Sequence, residues 1–256
     1  MSDSVHAAAR QGYEKQAAAY ARGRPDYPPA LQAWLQTALG LGPGRVVADV
    51  GAGTGKFTPL LAATGADVIA IEPVDAMRAQ IVARQPTVRA LPGTAQALGL
   101  PGASLDAIVC AQAFHWFADR AALDEFARVL KPGARLGLVW NVRDESVDWV
   151  AALTRIMTPY EGDAPRFYKG SWREVFPHPA FGPLQESVFE HVHEGPPEQV
   201  IVDRVMSVSF IAALPASEQA RVRARIEALI ESHPALRGQA MVRFPYHTRA
   251  FACMRR

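Results

Sequence analysis

Apolar positions in the middle of the chain follow two alternating patterns. Short, nearly continuous apolar runs are typical of buried parallel strands, and segments with apolar residues every three or four positions are typical of helices. We expect strands at 45–50, 67–71, 87–91, 105–110 and 135–140, and helices at 29–40, 56–64, 74–84 and 119–130. This alternation predicts an α/β fold in which a parallel sheet is covered by helices on both faces.

After Asn141 the rhythm changes. A helix pattern covers 147–160, and the alternation at 184–194 is typical of a half-exposed strand. Residues 241–255 predict two strand pieces separated at Pro245, because proline cannot donate to a sheet ladder.

Helices are also expected outside the strand–helix alternation. Residues 197–233 predict two helices, the second beginning at Ser217 after a break at Pro215. Near the start of the sequence, residues 5–22 predict an alanine-rich helix that ends at a run of prolines.

A glycine loop follows the first predicted strand. Gly51, Gly53 and Gly55 occupy every second position after Asp49. Glycine tolerates positive φ and lets a ligand approach the main chain, and ligands of α/β sheets bind at such strand ends. The spacing departs from the G-x-G-x-x-G dinucleotide fingerprint, since Lys56 stands where its last glycine belongs. An acid before the loop also suits a cationic ligand better than a pyrophosphate, although an ordinary strand-to-helix turn is the alternative.

Glu72 ends the second predicted strand, at the distance from the first glycine where an acid meets a ribose. Its carboxylate can accept hydrogen bonds from both ribose hydroxyls, and it repels a 2′-phosphate. An exposed acid at a strand end is the alternative. Together with the glycine loop, Glu72 predicts a nucleoside-binding site.

These motifs, taken in order, resemble the class I S-adenosylmethionine-dependent methyltransferases over about residues 40–142. VADVGAGTGKFT and IEPVDAM resemble the glycine loop and the ribose-binding turn, and residues 93–101 resemble the segment that covers the adenine. Residues 104–117 and 128–141 resemble the fourth and fifth strands with their flanks. FHWF and AAAYARGRPDYP resemble more narrowly the small-molecule branch called methyltransferase type 11, some of whose members methylate small carboxylic acids. Gln96 departs from an acid that many relatives carry, but an amide also hydrogen-bonds near an adenine.

The resemblance implies a Rossmann-like class I methyltransferase fold, with a seven-stranded, mostly parallel sheet, an antiparallel edge hairpin and a helical cap. We expect one methyltransferase domain, 1–256, in which 1–40 form a helical lid and 41–142 the cofactor-binding core. The last part, 143–256, supplies cap segments (143–182 and 195–238) and the last two strands.

The resemblance also implies how S-adenosylmethionine is held. Asp49 is expected to bind the amino group, and Arg24 to pair with the carboxylate, unless Arg24 is an ordinary surface arginine. Tyr20 and Arg24 are lid candidates. The expected cofactor-binding residues are Tyr20, Arg24, Asp49, Gly51, Ala52, Gly53, Gly55, Glu72, Pro73, Met77, Thr94, Ala95, Gln96, Ala111 and Gln112.

His115 is the candidate for chemistry, just past the fourth strand among aromatic residues. Three roles stay open: a base that deprotonates the acceptor, a hydrogen-bond partner of an already ionised carboxylate, and a structural role. Trp116 either stacks on the adenine or packs on the core. The expected acceptor-binding residues are Tyr13, His115, Trp116, Trp140 and Asn141. No metal is expected, because the sulfonium already activates the methyl group and positioning accelerates its transfer.

The cap carries further candidates. Its aromatic residues form either an apolar acceptor pocket or the core of the cap itself: Tyr160, Phe167, Tyr168, Trp172, Phe176 and Phe181. Arg143, Arg166 and Arg173 are candidate counter-charges for a small anionic acceptor.

Charge and composition narrow the partners. Among 256 residues, 27 basic side chains against 25 acidic ones give a net charge of +2, too small for a nucleic-acid footprint. The arginines at 221–225 are interrupted by glutamates, which favours a solvated helix face. The sequence has no leader pattern and no run of membrane-spanning length, so a cytoplasmic protein without membrane or nucleic-acid partners is expected.

Cysteine and histidine spacing predicts no metal site. Cys110 and Cys253 are far apart in sequence and are expected to be buried hydrophobes. His191 and His193 share one strand face without a third ligand, and we expect them at the surface.

The predicted function is methyl transfer from S-adenosylmethionine to a small molecule, most simply to an oxygen of a carboxylate or hydroxyl. Carbon or nitrogen acceptors are the alternative within the class. An NAD-dependent oxidoreductase and a non-catalytic S-adenosylmethionine-binding protein are the rivals outside it. The chain is expected to be a monomer or homodimer, and fold kinship alone does not name the acceptor.

Overall fold

The computed structural model describes residues 23–256. The helix expected at 5–22, with Tyr13 and Tyr20, lies outside the described residues. The strands are β1 Val46–Val50, β2 Asp67–Ile71, β3 Arg89–Leu91, β4 Leu105–Ala111, β5 Leu130–Arg143, β6 Gln185–Gly195 and β7 Val242–Met254. They form one seven-stranded sheet in the order β3-β2-β1-β4-β5-β7-β6.

Strand directions confirm the predicted mostly parallel sheet. The first five strands pair in parallel. The seventh runs antiparallel between β5 and β6, which closes the edge of the sheet. The order reverses between β1 and β4, so the carboxyl ends of these strands border a crevice of the kind where α/β proteins bind ligands.

Helices cover both faces and the carboxyl edge of the sheet. They are α1 Ala30–Leu39, α2 Thr58–Ala62, α3 Asp75–Arg84, α4 Arg120–Val129, α5 Asp148–Met157, α6 Arg204–Met206, α7 Ser209–Ala212 and α8 Ala216–Ser232. A π-helix spans Glu198–Asp203, and 3₁₀ turns span Phe114–Trp116, Thr158–Tyr160, Phe167–Lys169 and Ser171–Arg173. α1 ends at Gly40, whose φ of 68° makes the left-handed cap that glycine allows.

Two predictions about strands are wrong. β5 is much longer than 135–140, because it also pairs with β7 as far as Arg143. β7 is continuous instead of two pieces around Pro245. Pairing between β5 and β7 ends at Arg143 and Tyr246, so the missing N–H of Pro245 interrupts no ladder with β5.

The β6 and β7 pair is antiparallel as predicted, but it is not a tight hairpin. Residues 196–241 connect the two strands and contain the π-helix and α6 to α8. Val222 and Ile226 of α8 face inward, whereas Arg221 and Arg223 form ion pairs at the surface. This confirms a solvated arginine face on α8.

Three apolar clusters form the interior. One packs α1 and α2 against one face of the sheet, and a second packs α4 against the other face. The third joins α5, the π-helix, α7 and α8 to the start of β7, and we call it the cap core. The first predicted cap segment is therefore divided, because Trp172 and Phe181 pack with the sheet and not in the cap core.

Both cysteines are buried and free, as predicted. Burial raises the pKa of the Cys253 thiol to about 12 and also raises that of Cys110, so neither is a reactive thiolate. None of the helices in residues 23–256 is long and apolar enough to cross a membrane.

Candidate active site

A cavity opens at the carboxyl edge of β1, β2 and β4. Because parallel strands end at one edge, motifs that are distant in sequence meet there. Among the described residues, every expected cofactor residue except Gly55 lines this cofactor cavity: Arg24, Asp49, Gly51, Ala52, Gly53, Glu72, Pro73, Met77, Thr94, Ala95, Gln96, Ala111 and Gln112.

The three glycines of the loop have different surroundings. Gly51 has φ 70°, and a Cβ there would lie 2.8 Å from the Cβ of Ala113. Gly53 has φ 59° and lines the cavity, and a Cβ there would meet no described atom within 4 Å. Gly55 does not line the cavity, because its Cβ direction faces Ile81 of α3 at 3.0 Å. Gly51 thus permits packing of the loop, whereas Gly53 leaves room for a ligand.

Asp49 is a buried acid with one unused oxygen. It is 1% exposed, and its Oδ2 accepts a hydrogen bond from Thr58 Oγ1 at 2.8 Å. Its Oδ1 has no partner among the described residues. Burial, reinforced by the charge of Glu72, raises the pKa of Asp49 to about 7 although Thr58 opposes the shift. An ammonium group in the cavity would satisfy the free oxygen, so Asp49 fits the amino group of S-adenosylmethionine.

Glu72 is buried at the end of β2, so it is not an exposed acid. Its Oε2 accepts from the Gly53 N–H and its Oε1 from the Val74 N–H, both at 2.9 Å. Burial raises the pKa of Glu72, whereas these two backbone bonds lower it. Each oxygen retains a second lone pair for a ribose hydroxyl. Glu72 therefore links the glycine loop to the position expected for the ribose.

A segment before α1, residues 24–27, lines one wall of the cofactor cavity, and we call it the strap. Lys56 Nζ donates to the Arg24 carbonyl and pairs with Asp26 at 3.2 Å. Asn141 Nδ2 donates to the Asp26 carbonyl at 2.9 Å. The strap is thus held by the glycine-loop segment and by β5, and it brings Arg24 to the cavity.

A second cavity lies beside the first and shares Arg24, Gln112, Trp116 and Arg204 with it. We call it the acceptor cavity. Each expected acceptor residue within the described part lines it: His115, Trp116, Trp140 and Asn141. The remaining lining residues are Val142, Arg143, Glu145, Arg166, Phe167 and Tyr168. Trp116 faces both cavities, at their junction.

His115 accepts a hydrogen bond at Nδ1 from the indole N–H of Trp140, with 3.0 Å between the nitrogens. In a neutral imidazole the other nitrogen, Nε2, then carries the proton. Burial, reinforced by the charges of Arg166 and Arg24, lowers the pKa of His115 to about 3. At neutral pH the ring is therefore an uncharged N–H donor whose lone pair is already engaged.

Arginines dominate the acceptor cavity. Of the three expected counter-charges, Arg143 and Arg166 line it. Arg173 does not, because its guanidinium lies over the rings of Trp172 at 4.5 Å and Phe251 at 4.8 Å. Its place on a 3₁₀ turn directs it toward the sheet-side aromatic cluster rather than toward the cavity.

Arg204 lines both cavities and was not predicted from the sequence. It begins the short helix α6, and no local motif marks it. It is 7% exposed, and its Nε and Nη1 have no hydrogen-bond partner among the described residues. Burial lowers the pKa of Arg204 to about 10. The charges of Arg24 and Arg143 also lower it, against the opposing effect of Tyr246.

The cap aromatics serve both predicted uses. Phe167 and Tyr168 line the acceptor cavity. Trp172, Phe176 and Phe181 pack against the sheet, and Tyr160 packs on the cap core.

The surface placement predicted for His191 and His193 is wrong. Both are half-buried, and each has a buried ring nitrogen without a partner among the described residues. Burial lowers the pKa of both, to about 4 for His193, where Arg204 and Lys56 also contribute. Asp26 opposes both shifts, which places these rings near the strap. Within residues 23–256, no three His, Cys, Asp or Glu side chains form a metal-binding group.

Comparison with known proteins agrees with this geometry. The type 11 family model described as a methyltransferase domain matches residues 48–138. An uncharacterized methyltransferase of Mycobacterium bovis is 40% identical over 90% of this chain and 90% of its own length. An uncharacterized methyltransferase-like protein of Schizosaccharomyces pombe is 34% identical over 94% of both chains.

A solved structure from Anaeromyxobacter dehalogenans, assigned as a type II methyltransferase, has the same fold. It superposes with a TM-score of 0.65 at 28% identity, covering 91% of this chain and 96% of its own. Together with the relatives' shared length and the cofactor cavity, this shows that the chain belongs to the class I S-adenosylmethionine-dependent methyltransferases and is an enzyme that uses S-adenosylmethionine.

Proposed function

We propose that this methyltransferase acts on a small carboxylic acid and methylates a carboxylate oxygen. S-adenosylmethionine supplies a methyl on cationic sulfur: an oxygen lone pair forms the new O–C bond, and the electrons of the broken C–S bond remain on sulfur. No proton leaves the acceptor, because a carboxylate is already ionised at neutral pH. The protein's task is then to hold the acceptor oxygen close to the methyl group and to exclude water.

The observation that carries this proposal is the state of His115. A base needs a free lone pair, and the Nδ1 of His115 already accepts from Trp140. Burial beside two arginines also keeps the pKa of the ring at about 3, which makes it a weak base. What His115 offers to the cavity is the Nε2 hydrogen. That donor orients an oxygen and does not activate a hydroxyl.

Glu145 is the one acidic residue in the described lining of the acceptor cavity, and it is not placed to act as a base. It is exposed, and its Oε1 accepts from Thr154 Oγ1 of α5 at 2.7 Å. A hydroxyl acceptor would need deprotonation for efficient transfer, whereas a carboxylate would not. Among residues 23–256, the lining of the acceptor cavity thus lacks the base that alcohols require and has the donors that a carboxylate requires.

The charge of the cavity supports the same acceptor. Arg143 and Arg166 line it together with Arg24 and Arg204. Guanidinium groups bind carboxylates with two parallel hydrogen bonds, and several of them raise the local concentration of an anion. A neutral amine or alcohol would gain little from this surrounding.

The experiment is a turnover assay on the purified chain with matched acceptors. Small carboxylic acids are compared with the corresponding primary alcohols and amides, and release of S-adenosylhomocysteine is measured. We expect turnover with at least one acid and none with its alcohol or amide. Turnover with alcohols or amines in the absence of any active acid would contradict the proposal.

A further inference from the structure

Arg204 carries a buried charge that no described carboxylate balances. More than nine-tenths of it is buried, and two of its guanidinium nitrogens have no hydrogen-bond partner among the described residues. No described carboxylate lies within 4.0 Å of it. Tyr246 offers Arg204 a hydroxyl. A buried cation without an anion beside it is destabilising, so such a group is normally paired with one.

A second arginine of the acceptor cavity, Arg143, also has no carboxylate partner among the described residues. It ends β5, and its Nη1 donates to the thioether sulfur of Met157 at 3.4 Å, which is a weak acceptor. No described carboxylate lies within 4.0 Å of its guanidinium. Arg143 on β5 and Arg204 on α6 both line the acceptor cavity, so one ligand there can contact both arginines.

A charge count indicates what that ligand carries. Four arginines line the cavity with one acid, Glu145, among the described residues. Glu161 faces Arg166 from outside the lining at 3.9 Å. With Asp49 opposite the ammonium of S-adenosylmethionine and Arg24 opposite its carboxylate, Arg143 and Arg204 are two cavity arginines for which no carboxylate within 4.0 Å is described. A single acceptor carboxylate at the reacting position leaves these two guanidinium groups without an anion.

We propose that the acceptor carries a second anionic group, which is not methylated, and that Arg204 and Arg143 bind this group. The inference rests on the proposed function, because it assigns the first carboxylate to the reacting position near His115. Arg204 is then a specificity-determining residue, which selects dianionic over monoanionic acids. The planar, forked guanidinium group matches the geometry of a carboxylate, so a second carboxylate or a group of similar shape is favoured.

The first test needs no variant. The full chain saturated with S-adenosylhomocysteine is titrated by calorimetry with succinate, glutarate and adipate, and with the monoamide of each. Each monoamide keeps the length and shape of its acid but lacks one charge. We expect at least one diacid to bind about 10- to 100-fold more tightly than its monoamide, the usual effect of one charge-assisted hydrogen-bond pair. Equal binding of acid and monoamide throughout the series would overturn the inference.

The second test asks whether Arg204 provides the difference. Arg204→Met should lose most of the preference for a diacid over its monoamide, with Arg143 providing the remainder, while binding S-adenosylhomocysteine as the wild type does. Arg204→Lys should recover part of the preference, and Arg155→Met, an exposed change on α5, should leave it intact. If Arg204→Met instead weakens S-adenosylhomocysteine, Arg204 serves the cofactor carboxylate and the inference is wrong.

A third readout separates ligand binding from a structural role. Removing a buried cation that has no anion beside it also removes the cost of its desolvation. The melting temperature of unliganded Arg204→Met should therefore equal or exceed that of the wild type, and a diacid should raise the wild-type value by more than that of the variant. A lower melting temperature of unliganded Arg204→Met would contradict the inference.

The failure of the inference is distinguishable from that of the proposed function. Methyl esters formed equally well from diacids and monoamides would retain the function and reject the second anionic group. Selective binding of diacids without methylation of any acid would reject the function and retain the anion site.

Discussion

The two cavities differ in how the chain builds them. The cofactor cavity is lined mainly by short segments that directly follow β1, β2, β3 and β4. The acceptor cavity collects side chains from the strap, the 3₁₀ turn after β4, the end of β5 and two separate parts of the region after β5. Local sequence motifs therefore form the cofactor cavity, whereas the acceptor cavity is assembled from residues that are distant in sequence.

The cavities also differ in charge. Asp49 and Glu72 are buried acids on the cofactor cavity, and arginines surround the acceptor cavity. Arg24 and Arg204 line both cavities, and Trp116 lies at their junction. The buried acids suit the cationic donor, and the arginines suit the anionic acceptor proposed above. The first three sites changed below, Gly53, Asp49 and His115, test this division, because each change should affect one cavity and leave the other unchanged.

The largest effect is expected for Gly53→Val. A branched side chain there enters the open cavity space next to Glu72 and occupies the volume of the cofactor's amino-acid part. We expect S-adenosylhomocysteine binding to fall below detection in calorimetry. Gly44→Val is the matched control, because Gly44 has a similar φ of 76° and open surroundings but does not line the cavity. Equal loss in both variants would assign the effect to backbone strain.

Asp49→Asn should give the next largest effect, and one that depends on pH. With a pKa of about 7, Asp49 is protonated in much of the free enzyme below pH 7, and a bound ammonium favours its ionised form. Wild-type affinity for S-adenosylhomocysteine should therefore rise from pH 5.5 to about 7 and then level off. In Asp49→Asn it should be independent of pH, and about 10- to 100-fold weaker at pH 8.

Calorimetry in two buffers of different ionisation enthalpy checks this account of Asp49. At pH 6 the wild type should release a proton on binding, whereas Asp49→Asn should not. Proton release by Asp49→Asn equal to that of the wild type would show that another group titrates.

A moderate effect on turnover is expected at His115, without an effect on the cofactor. His115→Gln retains an acceptor for the Trp140 N–H and a donor for the substrate, so kcat/KM should fall by about tenfold or less. His115→Ala leaves the indole N–H of Trp140 unpaired. Its kcat/KM should therefore fall further, and its unfolding free energy should be lower by about 1–3 kcal/mol. A base role predicts instead that Gln and Ala are equally inactive.

The smallest effect concerns the pH dependence of stability at His193. Its pKa is about 4 in the folded protein and near the ordinary 6.5 when unfolded, so the unfolded chain binds more protons between these values. The folded protein is therefore destabilised by this group as pH falls from 6.5 toward 4. In urea unfolding, the stability of the wild type relative to His193→Gln should decrease as the pH is lowered from 6.5 toward 4. A constant difference would show that the folded pKa of His193 is not lowered.

The sheet and most of the cofactor cavity could be predicted from the sequence, and the reason is physical. β1, β2 and β4 are buried apolar runs, and the residues after them meet wherever such strands lie in parallel. Gly55 shows the limit of this reasoning. It has the spacing and the positive φ of its neighbours, yet its Cβ direction faces Ile81, and only tertiary packing determines that.

The acceptor cavity was predictable only in part. His115 follows β4, and Trp140 and Asn141 lie near the carboxyl end of β5, so their position at the sheet edge could be expected. Arg204 could not, because it lies in a short helix of the long connection between β6 and β7, and its side chain reaches both cavities only after the cap packs. His193 was misplaced for the same reason, since the alternation of β6 does not reveal what covers its inner face.

The most direct measurement of the central claim locates the transferred methyl group. The enzyme is incubated with S-adenosylmethionine bearing a deuterated methyl group and with small mono- and dicarboxylic acids, and the products are identified by mass spectrometry before and after mild alkaline hydrolysis. We expect a labelled methyl ester that releases labelled methanol in alkali. A labelled product that resists hydrolysis would place the methyl group on carbon, nitrogen or an ether oxygen and would contradict carboxylate methylation.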